Sequence, residues 1–190
     1  MSARPSPWLV WIPLALAVVL GALWFTAFRD TGVSVAMDAP AGTAVAAVEP
    51  LPDHPREPIP LDAEAPIAMR VYMSPTCGCC SLWVEHLEEN GFEVESILRH
   101  DMGDVKAALG VVPRLSSCHT GVVNGYVMEG HIPAADIRAF LAEAPEAHGL
   151  AVPGMPIGSP GMEMGDRVDP YDVLAFDSDG TFRVFNSHGM

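Results

Sequence analysis

Three of the chain's four cysteines occupy four consecutive positions, Cys77-Gly78-Cys79-Cys80, and the fourth, Cys118, is followed directly by His119. Cys77 and Cys80 have the C-x-x-C spacing of a redox pair when it occurs in a βαβ context. At the amino end of a helix, unpaired N–H groups and the positive dipole end favour thiolate over thiol. Such thiolates are nucleophiles and also soft ligands, and four of them in one partly exposed pocket suit Cu(I), with Zn(II) as the competing ion. Cys79 separates the two chemistries. Beside a dithiol pair it can attack the disulfide and scramble it, which an oxidoreductase should avoid; in a metal site it is one more donor. A third reading is one or two structural disulfides in an oxidising compartment. A zinc ribbon would need two C-x-x-C knuckles, and one is present.

Other side chains have weaker claims. On a regular strand His119 would point away from Cys118, but near a strand's start that alternation need not hold, so it is a candidate ligand. Met155, Met162 and Met164 lie in a Gly/Pro-rich stretch, GLAVPGMPIGSPGMEMGD, where thioethers could cap or feed a copper site or simply fill gaps under a loop. His86 reads as a helix packing residue. His131 and His188 have no cysteine or acid beside them and read as core or surface residues. No Ser-His-Asp set, phosphate-binding glycine loop or H-E-x-x-H helix appears, so the catalytic residue remains unassigned.

The elements that must position the sulfurs follow from pattern. Ile67 to Met73 reads as a strand, then a helix begins near Thr76 as N-cap, with Leu82, Trp83, His86 and Leu87 as its apolar stripe and Asn90-Gly91 as its stop. Phe92 to Leu98 alternates as a second strand, and Asp104 to Leu109 is a short helix. Asn124-Gly125 between two β-rich runs predicts a two-residue hairpin. Ala134 to Ala142 is a third helix, and Tyr171 to Phe185 a closing hairpin around Asp179-Gly180. The order β-α-β-α-β-β-α is that of an α/β, thioredoxin-like domain with a C-terminal β-hairpin extension. In that fold the loop entering the third strand passes beside the first helix, so Cys118 is expected to face the other three sulfurs.

The remainder of the chain places this domain. Residues 8–28 hold no charge and would span roughly 30 Å as a helix at ~1.5 Å per residue. With Arg4 before it and Trp8, Trp11 and Trp24 near its ends, the run within 1–29 reads as a signal-anchor with the rest exported. A signal peptide cleaved after Ser34-Val35-Ala36, giving a secreted protein, is the alternative. Residues 30–65, with prolines at 40, 50, 52, 55, 58 and 60, read as a disordered tether, and 66–190 as the functional domain. That domain has 7 Lys/Arg against 17 Asp/Glu, so no basic patch exists to meet nucleic-acid phosphates.

The stretches SPTCGCCSLWVEHLEENGFEVE, SCHTGVVNGYVMEGHIPAADI, GLAVPGMPIGSPGMEMG and DPYDVLAFDSDG resemble the CopG-like metal-binding family, domain of unknown function 411. The resemblance runs from about Met69 to Phe185. It implies an exported thioredoxin-like domain in bacterial copper handling, with Cys77, Cys79, Cys80 and Cys118 holding copper as a small Cu–thiolate cluster and His119 at a matching position. A copper oxidoreductase role has been proposed for the family. The expected location is the periplasm, tethered to the inner membrane, with copper ions and other periplasmic copper-handling proteins as partners.

Overall fold

The computed structural model describes residues 47–51 and 56–190, and residues 47–190 form one compact unit. The anchor run at 8–28 and the alternative cleavage site at 34–36 lie outside the described residues. Among the described residues no helix is long and apolar enough to cross a membrane.

Seven strands form one sheet: β1 (Ile67–Met73), β2 (Phe92–Leu98), β3 (Thr120–Val123), β4 (Tyr126–Glu129), β5 (Gly149–Ala151), β6 (Tyr171–Phe176) and β7 (Phe182–His188). Their spatial order is β2-β1-β3-β4-β5-β6-β7. β1 runs parallel to β2, β4 parallel to β5, and the other neighbours are antiparallel. Three α-helices, α1 (Gly78–Glu89), α2 (Met102–Ala108) and α3 (Ala134–Glu143), complete a mixed α/β domain.

The period-2 alternation of the strands divides the core in two. Met69, Val71, Tyr126, Met128, Leu150, Val173 and Ala175 face one side, where Trp83 and Leu87 of α1 and Ile137, Phe140 and Leu141 of α3 cover them. Tyr72, Val122, Val127, Ala151, Leu174 and Phe176 face the other, with Val105 of α2, Leu109 and Leu115. Most central strand residues are therefore buried on both faces, which suits their Val-rich composition.

Three local expectations are corrected. Cys77, not Thr76, is the N-cap of α1; Thr76 instead lies in the preceding turn, its N–H and hydroxyl on Ser74 Oγ. Leu82 is 50 % exposed, and the buried stripe is Cys80, Trp83, Val84 and Leu87. Within the Gly/Pro/Met stretch, Gly149–Ala151 is a strand, made by its neighbours: β4 pairs with it on one side and β6 on the other. Three residues ending before Pro153 carry too little pattern to announce this.

The hairpin turns as its sequence predicts, with φ of 48° at Asn124 and 75° at Gly125, the left-handed pair that a two-residue connection needs. Contacts to the domain also begin before Pro66. Val48 and Leu51 pack against the α2 side, the Ile59 N–H donates to Leu141 O at 3.0 Å, and Asn124 Nδ2 donates to Glu57 O at 2.8 Å. A few apolar side chains suffice to lay a Pro-rich segment on a core that already exists.

Candidate metal centre

β1 and β3 are antiparallel with Tyr72 opposite Thr120. The segment leaving β1 and the segment entering β3 therefore emerge at the same end of the sheet, and this brings Cys118 to the first turn of α1. The four sulfurs of Cys77, Cys79, Cys80 and Cys118 all lie within 4.8 Å of one another. Cys77 and Cys80 form a disulfide across a Cα–Cα distance of 5.4 Å, and Cys79 and Cys118 are free. Cys79 Sγ sits 3.5 Å from Cys77 Sγ and 3.9 Å from Cys118 Sγ. The third thiol is thus placed both to attack the disulfide and to share a metal ion with Cys118. One disulfide is formed, and Cys79 and Cys118 are left as thiols.

His119 turns toward its neighbour. Cys118 lies at a bend ahead of β3, where strand alternation does not yet apply. The His119 ring lies 4.2 Å from that of Trp83, centroid to centroid, and its Nδ1 is 3.2 Å from Cys118 Sγ. Trp83 is itself fixed by donating its indole N–H to Ile132 O at 2.8 Å. The opposite ring nitrogen of His119, Nε2, reaches Gly130 O at 3.0 Å.

His131, which the sequence reading left as core or surface, joins the same sulfur. Its Nε2 is 3.1 Å from Cys118 Sγ, and its Nδ1 reaches Pro160 O at 2.8 Å. A signal for this existed. In the β3–β4 hairpin Thr120 pairs with Glu129, and the same register carried two residues further sets His131 opposite Cys118. Counting outward from Asn124-Gly125 would have found it.

The methionine stretch is tied to the site through its backbone. Pro160 O accepts from His131, Gly154 N–H donates to Ser116 O at 3.2 Å, and Gly161 lies against α1. A Cβ at Gly161 would come within 2.8 Å of Cys79 O and Trp83 N. Met155 and Met164 are 53 % and 63 % exposed and Met162 is half-buried.

Behind the site, a buried ion pair braces the Cys118 segment on both sides. Glu129, with its side chain fully buried, accepts from Lys106 Nζ at 2.5 Å, Thr120 Oγ1 at 2.6 Å and Ser117 N–H at 2.6 Å. Residues 117 and 120, which bracket Cys118-His119, are thereby held by one carboxylate. Breaking a buried pair by removing one partner typically costs about 3–5 kcal/mol. Lys106→Met is accordingly expected to lower the unfolding free energy by that amount in urea titration at pH 7. Adding Glu129→Gln should recover part of the loss, since no charge is then left buried.

Burial sets the protonation of the site. It pushes the Cys118 thiol up to about 12, the neighbouring Cys79 adding to the effect. Without a cation, Cys118 therefore keeps its proton at neutral pH. Burial also holds His119 well below the ordinary histidine range and lowers His131. Both are neutral in the folded metal-free chain while their unfolded counterparts titrate near 6.5. Below that pH the unfolded state binds protons that the native state does not, so stability falls with falling pH. The metal-free chain should therefore lose stability as the pH falls from 7.5 to 5.5. Urea midpoints across that range check it; a flat profile would mean the imidazoles are solvated.

Comparison with known proteins gives two kinds of match. A family model described as "Protein of unknown function, DUF411" matches residues 115–162, the segment from Leu115 through Cys118, His119 and His131 to Met162. Two solved structures, described as "Copper resistance protein copG", Form 1 and Form 2, are each 48 % identical with a TM-score of 0.63. The aligned region covers 66 % and 65 % of this chain and 99 % of each of those chains. No curated protein matches.

Proposed function

The chain belongs to the CopG-like, DUF411 family, and from that premise we propose that it is an extracytoplasmic copper-binding protein serving copper resistance or homeostasis. It holds Cu(I) through Cys77, Cys79, Cys80 and Cys118, with His119 as a further ligand, as a Cu–thiolate cluster when all four cysteines are reduced. The observation that carries this reading is the meeting of four sulfurs from two segments 39 positions apart, Cys79 and Cys118, within 4.8 Å. Soft thiolates select Cu(I) among the available ions, though they also accept zinc. We read the β2-β1-β3-β4 part of the sheet, with helices on both faces, as thioredoxin-like, and the Met155, Met162 and Met164 stretch as the route by which copper reaches or leaves the site. The charge-free run at 8–28 supports export and attachment to the inner membrane, and other periplasmic copper-handling proteins are the partners this implies.

A redox extension follows from the disulfide. Two Cu(II) ions, each taking one electron from the reduced Cys77/Cys80 pair, would leave two Cu(I), the disulfide and two protons. The observed disulfide equally favours a second reading, a membrane-tethered thiol–disulfide oxidoreductase. Insulin reduction that survives both Cys79→Ser and copper chelation would support that reading against the first.

The direct test of the copper reading is anaerobic reduction of the full chain, Cu(I) loading, removal of loosely held metal, and measurement of copper content and ultraviolet absorption. Retained copper with thiolate-to-copper charge-transfer bands is expected. A chain that retains no copper would sink the proposal.

A further inference from the structure

Helix α3 begins without a cap of its own. Pro133 occupies the N-cap position and makes no side-chain capping bond, so the first N–H groups of the helix need partners from elsewhere. One partner comes from α1. His86, which its spacing marks as a packing residue, is half-buried, and its Nε2 accepts the Ala134 N–H at 3.1 Å. A backbone N–H only donates, so Nε2 carries a lone pair and the proton of the neutral imidazole is on Nδ1. A side chain of one helix thus caps another helix 48 positions along the chain.

Protonation cannot leave this contact as it is. An imidazolium donates from both nitrogens, so it offers nothing to the Ala134 N–H, and its charge stands at the positive end of the α3 dipole, where a cation is disfavoured. Glu89 of α1 and Glu163 of the Gly/Pro/Met stretch act on His86 through their charge, Glu163 the more strongly. Asp136, in the first turn of α3, already accepts from Asn186 Nδ2 at 2.7 Å and from His188 Nε2 at 2.6 Å. Tyr171 of β6 is pushed up to about 12 by burial, with Asp136 and Glu163 adding to the effect, and stays neutral. Arg138, a turn further along α3, donates to Asn90 O at 2.9 Å and holds the far end of α1 independently of His86. Glu163 is exposed and accepts only the Gly161 N–H, at 3.1 Å, so it is the carboxylate available to a charged His86.

We infer that His86 is an acid-sensitive joint between α1 and α3, closed while its imidazole is neutral and opened when protonation turns the ring from Ala134 to Glu163. What the joint holds lies beside the sulfurs. Ala134 is two residues past Ile132, whose carbonyl fixes the Trp83 indole, and Gly161 packs on the backbone of Cys79 and Trp83. Opening frees the start of α3 and takes the acceptor from Gly161 N–H, so the stretch carrying Met162 and Met164 loosens from α1. Burial holds His86 below its ordinary value, the two glutamates offsetting this in part. The joint is therefore closed at neutral pH, and its contribution to stability is lost as the pH falls through the native pKa. On the copper reading above, from which this last consequence follows, acid speeds the exchange of Cu(I).

The joint is tested in the metal-free full chain, so its outcome does not depend on copper. In a nuclear magnetic resonance titration from pH 7.5 to 5, the Ala134 amide should shift with the same midpoint as the His86 ring, below the ordinary value of about 6.5. Hydrogen exchange, corrected for its intrinsic pH dependence, should show the amides that open α3 losing about tenfold in protection at the acid end, the combined size of a lost cap and a misplaced charge at a helix end. His86→Gln still offers an acceptor to Ala134 and takes no proton, so that chain should keep most of its protection. His86→Lys, charged throughout the range, should lack it even at pH 7.5. His119 and His131 are present in all three chains, so the difference between wild type and His86→Gln reads His86 alone. An Ala134 amide that stays still while His86 titrates, or a His86→Gln chain whose protection falls as the wild type's does, overturns the joint. With Cu(I) bound, transfer to a chelator should quicken between pH 7.5 and 5.5 by more in the wild type than in His86→Gln; equal acceleration overturns the link to copper exchange. A chain that opens as described but retains no copper at either pH refutes the copper reading and leaves the joint standing.

Discussion

A Cys118→Ser chain should lose Cu(I) affinity by about 100-fold or more, with its copper stoichiometry reduced in anaerobic loading. Cys118 is the shared member of both clusters: it completes the four sulfurs and it faces both imidazoles. Even partners that merely orient a ligand are worth 10–100-fold in affinity, and serine supplies a hard oxygen that keeps its proton where sulfur supplied a soft thiolate. Cys79→Ser should also weaken binding, but less, because it leaves the Cys118–His119–His131 arrangement intact. The measurement is competition against a Cu(I) chelator of known affinity. Affinity and stoichiometry unchanged in both variants would remove the shared site. The Cys77–Cys80 disulfide does not include Cys118, so a dithiol oxidoreductase should keep much of its insulin reduction in Cys118→Ser.

Gly149→Ala is expected to cost more than about 4 kcal/mol, or to prevent accumulation of folded protein, a size of effect reserved for a few mechanisms of which steric overlap in a core is one. A Cβ at position 149 would stand 1.8 Å from Val127 O, 2.7 Å from its carbonyl carbon and 2.9 Å from its nitrogen. These are backbone atoms of β4, the strand with which β5 pairs in parallel, so relief requires that the two strands separate. Loss of that pairing would detach β5, β6 and β7 from the strands that carry the site. Gly121→Ala is the useful contrast. Its new Cβ would meet Met69 Cε at 2.0 Å, the mobile end of a side chain that can turn aside, and about 1–3 kcal/mol is expected there. Thermal or urea unfolding of the two variants, with yield as a first readout, checks the difference. Equal tolerance at both positions would mean that β4 and β5 do not approach as closely as described.

Much of the architecture was legible because its signals are local. Asn124-Gly125 enforces positive φ at two adjacent residues and so predicts both the turn and the pairing of β3 with β4. Asn90-Gly91 stops α1 where expected, and the alternation in FEVESIL yields β2. The errors have a common origin in non-local packing. Leu82 looked like a core residue because leucine at helical spacing usually is, but the buried arc of α1 is decided by where the sheet lies, and it runs through Cys80, Trp83 and Leu87. β5 was read as loop because its strand character comes from β4 and β6 rather than from its own three residues.

The candidate site divides along the same line. Residue types and spacing sufficed to single out Cys77, Cys79, Cys80, Cys118 and His119, and to restrict the chemistry to dithiol exchange or a soft metal, since sulfur at a helix amino terminus favours both. The convergence of Cys118 on the other sulfurs was an expectation from the order of elements, and the antiparallel pairing of β1 with β3 is its physical basis. What tertiary structure alone decided is which side chains surround Cys118 and in what protonation state. His131 meets it through hairpin register, Gly130 and Pro160 carbonyls dictate which imidazole nitrogens are bare, and burial keeps the thiol protonated. Ligand identity is a property of residue type and is written along the chain. The direction of a lone pair depends on a partner brought in from elsewhere in the fold, so it exists only once the chain has closed on itself.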